Sequence, residues 1–93
     1  MPENEFVNGV YDFLKKNTNA ARVLNFLICR ADENRLVSGI SYLYLSDVFD
    51  VSLPTITRTI KALKEMGYIT VHKDKSCHTY EISEEVYNNF KVE

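Results

Sequence analysis

The sequence contains little glycine and proline, with three and two among 93 residues. No repeat, low-complexity tract or linker is visible, so the length favours one small domain spanning residues 1–93. The scarcity of glycine leaves no glycine-rich loop of the kind that holds nucleotide phosphates. No serine lies in a glycine-flanked nucleophile motif either. We therefore expect no enzymatic activity.

Cysteine is also scarce, and Cys29 and Cys77 show no spacing typical of a disulfide framework. Two free thiols fit a protein of the reducing cytoplasm. His72 and His78 lie near Cys77 in the sequence and suggest zinc, but neighbouring residues of a strand point to opposite faces. No second cysteine or histidine pair completes a metal site. We expect no metal and no other cofactor.

Long apolar runs are missing as well. The longest, Val23 to Cys29, is interrupted by Asn25 and is too short to span a membrane. The acidic N-terminal stretch shows no basic segment followed by an apolar run, so no secretory signal is visible. These features predict a cytoplasmic protein without a membrane partner.

The formal net charge of -2 argues weakly against nucleic-acid binding, but the charges are unevenly distributed. Residues 53–78 carry five basic and two acidic side chains, whereas residues 1–52 and 79–93 are both net acidic. A local positive excess is the electrostatic footprint that a nucleic-acid contact needs.

Apolar residues at helical spacing predict two flanking helices near the start of the chain, at about 4–16 and 20–32. Thr18 or Asn19 is the expected N-cap of the second helix. That helix is apolar almost all round, so it should lie buried at the centre of the domain. The stretch "LVSGI" then predicts a short strand.

Two further helices are predicted within about residues 41–66. Ser41 is a suitable N-cap for the first, and Asp50 can adopt the left-handed conformation that ends it. Ser52 caps the second, which should end where Gly67 supplies a positive φ. A tight turn between two helices of this kind is typical of a helix-turn-helix.

The apolar period changes from 3.6 to 2 after the second of these helices, which predicts a β-hairpin at about 68–82. Ile69 and Val71 should match Tyr80 and Ile82 across it, with the polar stretch "KDKS" at its tip. Ser83 can cap a last helix at about 84–91. The order α-α-β-α-α-β-β-α predicts a mostly helical α+β fold with a small hairpin wing, a winged helix-turn-helix.

Individual positions support this motif. Ser46 supplies the small residue needed where the two helices cross, whereas Thr59 stands where an apolar residue is usual. The residues of helix 53–66 predicted to face inward are Leu53, Ile56, Ile60 and Leu63. The predicted outward set has no acidic member before Glu65 and consists of Pro54, Thr55, Thr57, Arg58 and Lys61.

Short hydroxyls and long cations on one helix face suit a helix that enters the major groove. Arg58 is the favoured base reader, while Thr55 and Thr57 suit phosphate oxygens, as do the free N–H groups near Ser52. Alternatively, Arg58 and Lys61 are simply solvated side chains of the helix surface. For Lys73 and Lys75 the two interpretations are more evenly balanced, because charged residues are common at hairpin tips. The complete predicted DNA-contacting set is Tyr42, Ser52, Leu53, Pro54, Thr55, Thr57, Arg58, Lys61, Lys73 and Lys75.

The stretch "FDVSLPTITRTIKALKEMGYI" resembles the recognition half of bacterial winged-helix regulators of the Crp and MarR types, and the likeness covers about Ile40 to Ile82. More loosely, the chain from Ala20 through "TYEISEEVYNNF" is similar to plasmid replication initiators of the RepL type. Both resemblances imply double-stranded DNA as the partner, with helix 53–66 in the major groove.

Three functions remain open from the sequence. The first is a transcriptional regulator that binds double-stranded DNA sequence-specifically, and the second is a plasmid or phage replication initiator with the same binding mode. The third is a winged-helix module for protein–protein interaction, which the acidic total charge favours modestly. Apolar residues around Phe6–Leu14 and Val86–Phe90 are the candidate surface for a homodimer.

Overall fold

The computed structural model describes residues 5–75 and 77–90. Asn4 and Lys91, the outer ends of the predicted terminal helices, lie outside the described residues. The order of elements is the predicted one: α1 (Glu5–Lys16), α2 (Thr18–Arg30), β1 (Leu36–Ile40), α3 (Tyr42–Phe49), α4 (Leu53–Glu65), β2 (Ile69–Asp74), β3 (Cys77–Ile82) and α5 (Glu84–Phe90).

Helix α2 begins at Thr18, two residues before its predicted start, and Asn17 rather than Thr18 or Asn19 is its N-cap. The Asn17 side chain makes no capping bond to α2. Its Nδ2 instead donates back to the carbonyl of Phe13, at 2.8 Å. The side-chain amide of Asn17 thus supplies a donor to a carbonyl in the last turn of α1. Asn17 is the single residue between the two helices.

Helices α3 and α4 form the predicted helix-turn-helix. The Ser41 hydroxyl caps α3 by accepting from the amide of Tyr44, and Asp50 ends α3 in the left-handed conformation with φ 55°. Ser46 is bonded to the turn between them: its hydroxyl donates to the carbonyl of Val51 at 2.6 Å, and its own carbonyl accepts from the Val51 amide. The Ser46 side chain therefore ties the turn to α3.

The inner face of α4 is buried at Ile56, Ile60 and Leu63. Thr59 is also buried, and its hydroxyl donates to the carbonyl of Thr55 at 2.8 Å. Because a buried hydroxyl is costly only when it lacks a partner, this bond lets threonine occupy the apolar position.

The wing belongs to a three-stranded antiparallel sheet with strand order β1-β3-β2. In the hairpin, Ile69 pairs with Ile82 and Val71 with Tyr80, as the alternation of apolar residues predicts. Strand β1 adds to the other edge of β3. The sheet and the helices α1, α2, α3, α4 and α5 all contribute side chains to the core. None of the described helices has the length and apolar character needed to cross a bilayer.

Tyr80 fixes β1 to the wing from inside the core. Its side chain is fully buried, and its hydroxyl donates to the carbonyl of Ile40 at 2.9 Å. Burial raises the pKa of Tyr80 well above its usual value, with smaller contributions from Tyr42 and Cys77. The neutral phenol is thus favoured in the folded state, and the stability that this provides is present below the unfolded pKa and lost as pH rises.

Tyr80→Phe is expected to lower the free energy of unfolding by about 1 kcal/mol at neutral pH, because the Ile40 carbonyl loses its donor. The difference between wild type and variant should shrink above about pH 10, where the unfolded tyrosine ionises. Urea denaturation near neutral pH and above pH 10 measures both quantities. A stability difference between wild type and Tyr80→Phe that stays constant with pH would contradict the raised pKa of Tyr80.

Candidate nucleic-acid interface

Helix α4 presents a continuous polar face outside the core. Pro54, Thr57, Arg58 and Lys61 are exposed on it. The Arg58 guanidinium is 3.4 Å from the hydroxyl of Thr55, and no carboxylate of residues 5–75 or 77–90 forms a salt bridge with it. Its charge is therefore available to a ligand.

The hydroxyls of α4 are already engaged within the helix. That of Thr57 donates to the carbonyl of Leu53 at 3.1 Å. The Thr55 hydroxyl is 2.8 Å from that of Ser52, which also accepts from the Thr55 amide. Since Pro54 has no N–H, the Leu53 amide is the group of this first turn that remains for a phosphate oxygen.

The prediction that Leu53 faces inward is wrong, because this residue is 43 % exposed. The physical reason is its place in the helix. It is the first residue of α4, one turn before Ile56, and the space beside it is an open cleft rather than core.

The cleft beside Leu53, here named the wing cleft, has a volume of about 570 Å³. It lies between the start of α3, the start of α4 and the hairpin. Its lining residues are Ser41, Tyr42, Leu43, Leu53, Thr57, Lys75, Cys77 and His78. The structure thereby brings the predicted contact residues Tyr42, Leu53, Thr57 and Lys75 to one concave surface.

Tyr42 forms part of the wall of the wing cleft. Its ring lies edge-on against that of His78, with centroids 4.8 Å apart, and burial raises the pKa of its hydroxyl. On the hairpin, Lys75 sits at the tip in the left-handed conformation, with φ 54°. Lys73 is exposed on β2 opposite His78 and does not line the cleft.

A second cleft, of about 320 Å³, separates α4 from the α1–α2 junction. It brings Lys16 to the same cavity as Arg58, together with Asn17, Thr18 and Asn19. Sequence reasoning missed Lys16 because it lies 42 positions away from Arg58. Only the packing of α2 against α4 places the two cations beside one groove.

The two histidines of the hairpin have different partners. His72 Nε2 lies 3.1 Å from a carboxylate oxygen of Glu81, whereas His78 packs on Tyr42. Both Cys29 and Cys77 are free and exposed. Within the part of the chain that the structure describes, no three histidine, cysteine or acidic residues cluster in a way that could hold a metal ion.

The apolar residues of the terminal segments are used largely inside the chain. Val10 and Val86 are completely buried, and Phe6 and Phe13 pack edge-on against Tyr68. Val10 and Val86 are therefore not available to the predicted homodimer surface, whereas Phe6 and Phe13 are only partly buried. Tyr11 is the large hydrophobic residue of α1 that remains exposed, even though it contacts Phe90.

Comparison with known protein families supports the geometry. Residues 38–70 match the family model described as winged helix-turn-helix DNA-binding, a span that runs from β1 through α3 and α4 into β2. A search of curated proteins finds no match to the chain. Residues 38–70 are therefore similar to winged helix-turn-helix DNA-binding domains, and the arrangement of helices and strands is that of a winged helix.

Proposed function

We propose that the protein is a transcriptional regulator that binds double-stranded DNA sequence-specifically, with α4 in the major groove. The observation that carries the proposal is the exposed face of α4, where Arg58 and Lys61 form no salt bridge within residues 5–75 and 77–90. Two clefts adjoin α4, and each is lined by a further lysine: Lys75 lines the wing cleft, and Lys16 lines the second cleft.

The side chains divide into base readers and phosphate contacts. Arg58 can bond guanine O6 and N7 with two parallel N–H groups, which no point charge can do. Lys61 and Lys16 suit phosphates on either side of the groove, and the Leu53 amide suits a phosphate at the helix start. We assign Lys75 and Lys73 to the neighbouring backbone or minor groove.

Selection of bound sequences from a pool of random duplexes tests the proposal. The protein should enrich a short motif, and fluorescence anisotropy at two salt concentrations should show affinity falling as salt rises. Two copies of the motif about one helical turn apart would support a homodimer with one half-site per protomer. A pool that stays random after several rounds, with weak binding that does not saturate, would refute sequence-specific recognition.

Replication initiation for a plasmid or phage is an alternative role with the same DNA-binding mode. Both roles need only that α4 read DNA, so the chemistry of the helix favours neither. The selected motif distinguishes them: direct repeats at a replication origin favour initiation, and a promoter-proximal site favours regulation.

A protein–protein interaction module is the third candidate, and one surface favours it. On α2, the Arg30 guanidinium lies 4.4 Å from the centre of the Phe26 ring, and that of Arg22 lies 5.1 Å from the Phe49 ring. Tyr44 is exposed beside them. Arginine and aromatic residues are enriched in protein interfaces. If the protein is an interaction module of this kind, Arg58→Ala should leave its binding unchanged.

A further inference from the structure

The start of α4 has an apolar side chain where a DNA-binding helix usually meets base edges. Leu53 is exposed, and Thr57 lies one turn later on the same face of the helix. Both line the wing cleft. Arg58 lines the other cleft, so the two flanks of α4 differ in chemistry.

Thr57 adds a methyl group to this apolar column. Its hydroxyl hydrogen is committed to the carbonyl of Leu53, so the γ-methyl is the group that it can add to an apolar contact. A phosphate would find no positive charge at Leu53 or Thr57, since Lys75 belongs to the hairpin side of the cleft.

The major groove exposes one apolar group at its base edges, the C5-methyl group of thymine. We propose that Leu53 and Thr57 read that methyl group, so that the recognised sequence contains a thymine on the side of α4 that faces the wing. This inference rests on the proposed DNA-binding function and adds a specificity-determining contact to it. Arg58 would read guanine on the opposite flank.

Replacement of thymine by deoxyuracil tests the inference, because it removes the methyl group and leaves the hydrogen-bonding pattern unchanged. In duplexes that carry the selected motif, each thymine is replaced in turn and the dissociation constant is measured. At one position the wild type should bind about fourfold more weakly, the factor expected when one methyl-sized apolar group is no longer buried.

Variants assign the contact to its residues. Leu53→Ala should bind the thymine and deoxyuracil duplexes nearly equally, and Thr57→Ser should show a smaller discrimination than the wild type. Leu43→Ala is the matched control, because Leu43 lines the same cleft but lies on α3, and it should keep the discrimination. Leu53 is not part of the core, so its truncation should leave the fold intact, which circular dichroism can check.

The possible failures are distinguishable. If a motif is selected but deoxyuracil changes nothing at any position, the methyl contact is refuted and the proposed function stands. Undiminished discrimination in both Leu53→Ala and Thr57→Ser would assign the methyl to other residues and equally refute the inference. Failure to select any motif would refute the proposed function, and the methyl contact with it.

Discussion

Truncation of Ile60 to alanine is expected to lower the free energy of unfolding by about 2–5 kcal/mol. The side chain is fully buried at the inner face of α4, so its removal loses apolar burial and leaves a cavity. A domain of 93 residues has a total stability of roughly 5–14 kcal/mol, so the loss is a large part of the whole. Urea denaturation followed by circular dichroism measures it.

Lys61→Ala is the matched control for this experiment. Lys61 is the next residue on α4 and is exposed, and alanine is a good helix former, so the change should stay within about 0.5 kcal/mol. A similar loss in both variants would contradict the burial pattern of α4. A loss below about 1 kcal/mol in Ile60→Ala would show that the core beneath α4 is not closely packed.

The helix-turn-helix could be predicted from the sequence because its determinants are local. Ser41 and Ser52 cap helices through atoms three residues away, and Asp50 ends α3 by its own backbone conformation. The register of the hairpin is equally local, since the paired strands β2 and β3 follow each other directly in the sequence.

Features that depend on distant contacts could not be predicted. Strand β1 is local in sequence, but its pairing with β3 joins Val37 to Tyr80 across the chain. Lys16 joins the surface around Arg58 only because α2 packs on α4. The spacing of apolar residues alone cannot predict these contacts. It indicates which face of an element is buried but not which other element covers that face.

Leu53 shows a subtler limit of sequence reasoning. Its spacing from Ile56 and Ile60 places it on the apolar stripe of α4, so the period predicts burial. Burial also requires a neighbour to cover the side chain, and the first turn projects past the core into the wing cleft. The error falls at the candidate interface, where local rules are expected to fail when function sets the residue.

Arg58→Ala is expected to weaken binding to the selected DNA by about 1–3 kcal/mol, roughly 5- to 150-fold, and to relax discrimination at one base pair. The guanidinium is exposed and has no salt bridge within the part of the chain that the structure describes, so the variant should keep its stability. Fluorescence anisotropy with the motif and its single-base variants measures both effects.

Arg58→Lys separates base reading from charge. Lysine keeps the positive charge but lacks the planar fork that bonds O6 and N7 together. If Arg58 reads guanine, Arg58→Lys should keep the salt dependence of the wild type and lose most of the discrimination at that base pair. If Arg58 only contacts phosphate, lysine should restore nearly full binding to every sequence.

Lys61→Ala completes the comparison, since Lys61 is assigned to phosphate. This variant should weaken binding to all sequences alike and reduce the slope of log affinity against log salt by about 0.9, the value of one phosphate contact on duplex DNA. Uniform weakening in Lys61→Ala, together with base-specific loss in Arg58→Ala, requires α4 to lie in the major groove with Arg58 at the base edges. Uniform weakening in both variants would instead place Arg58 on the backbone, and recognition would have to come from another part of the surface.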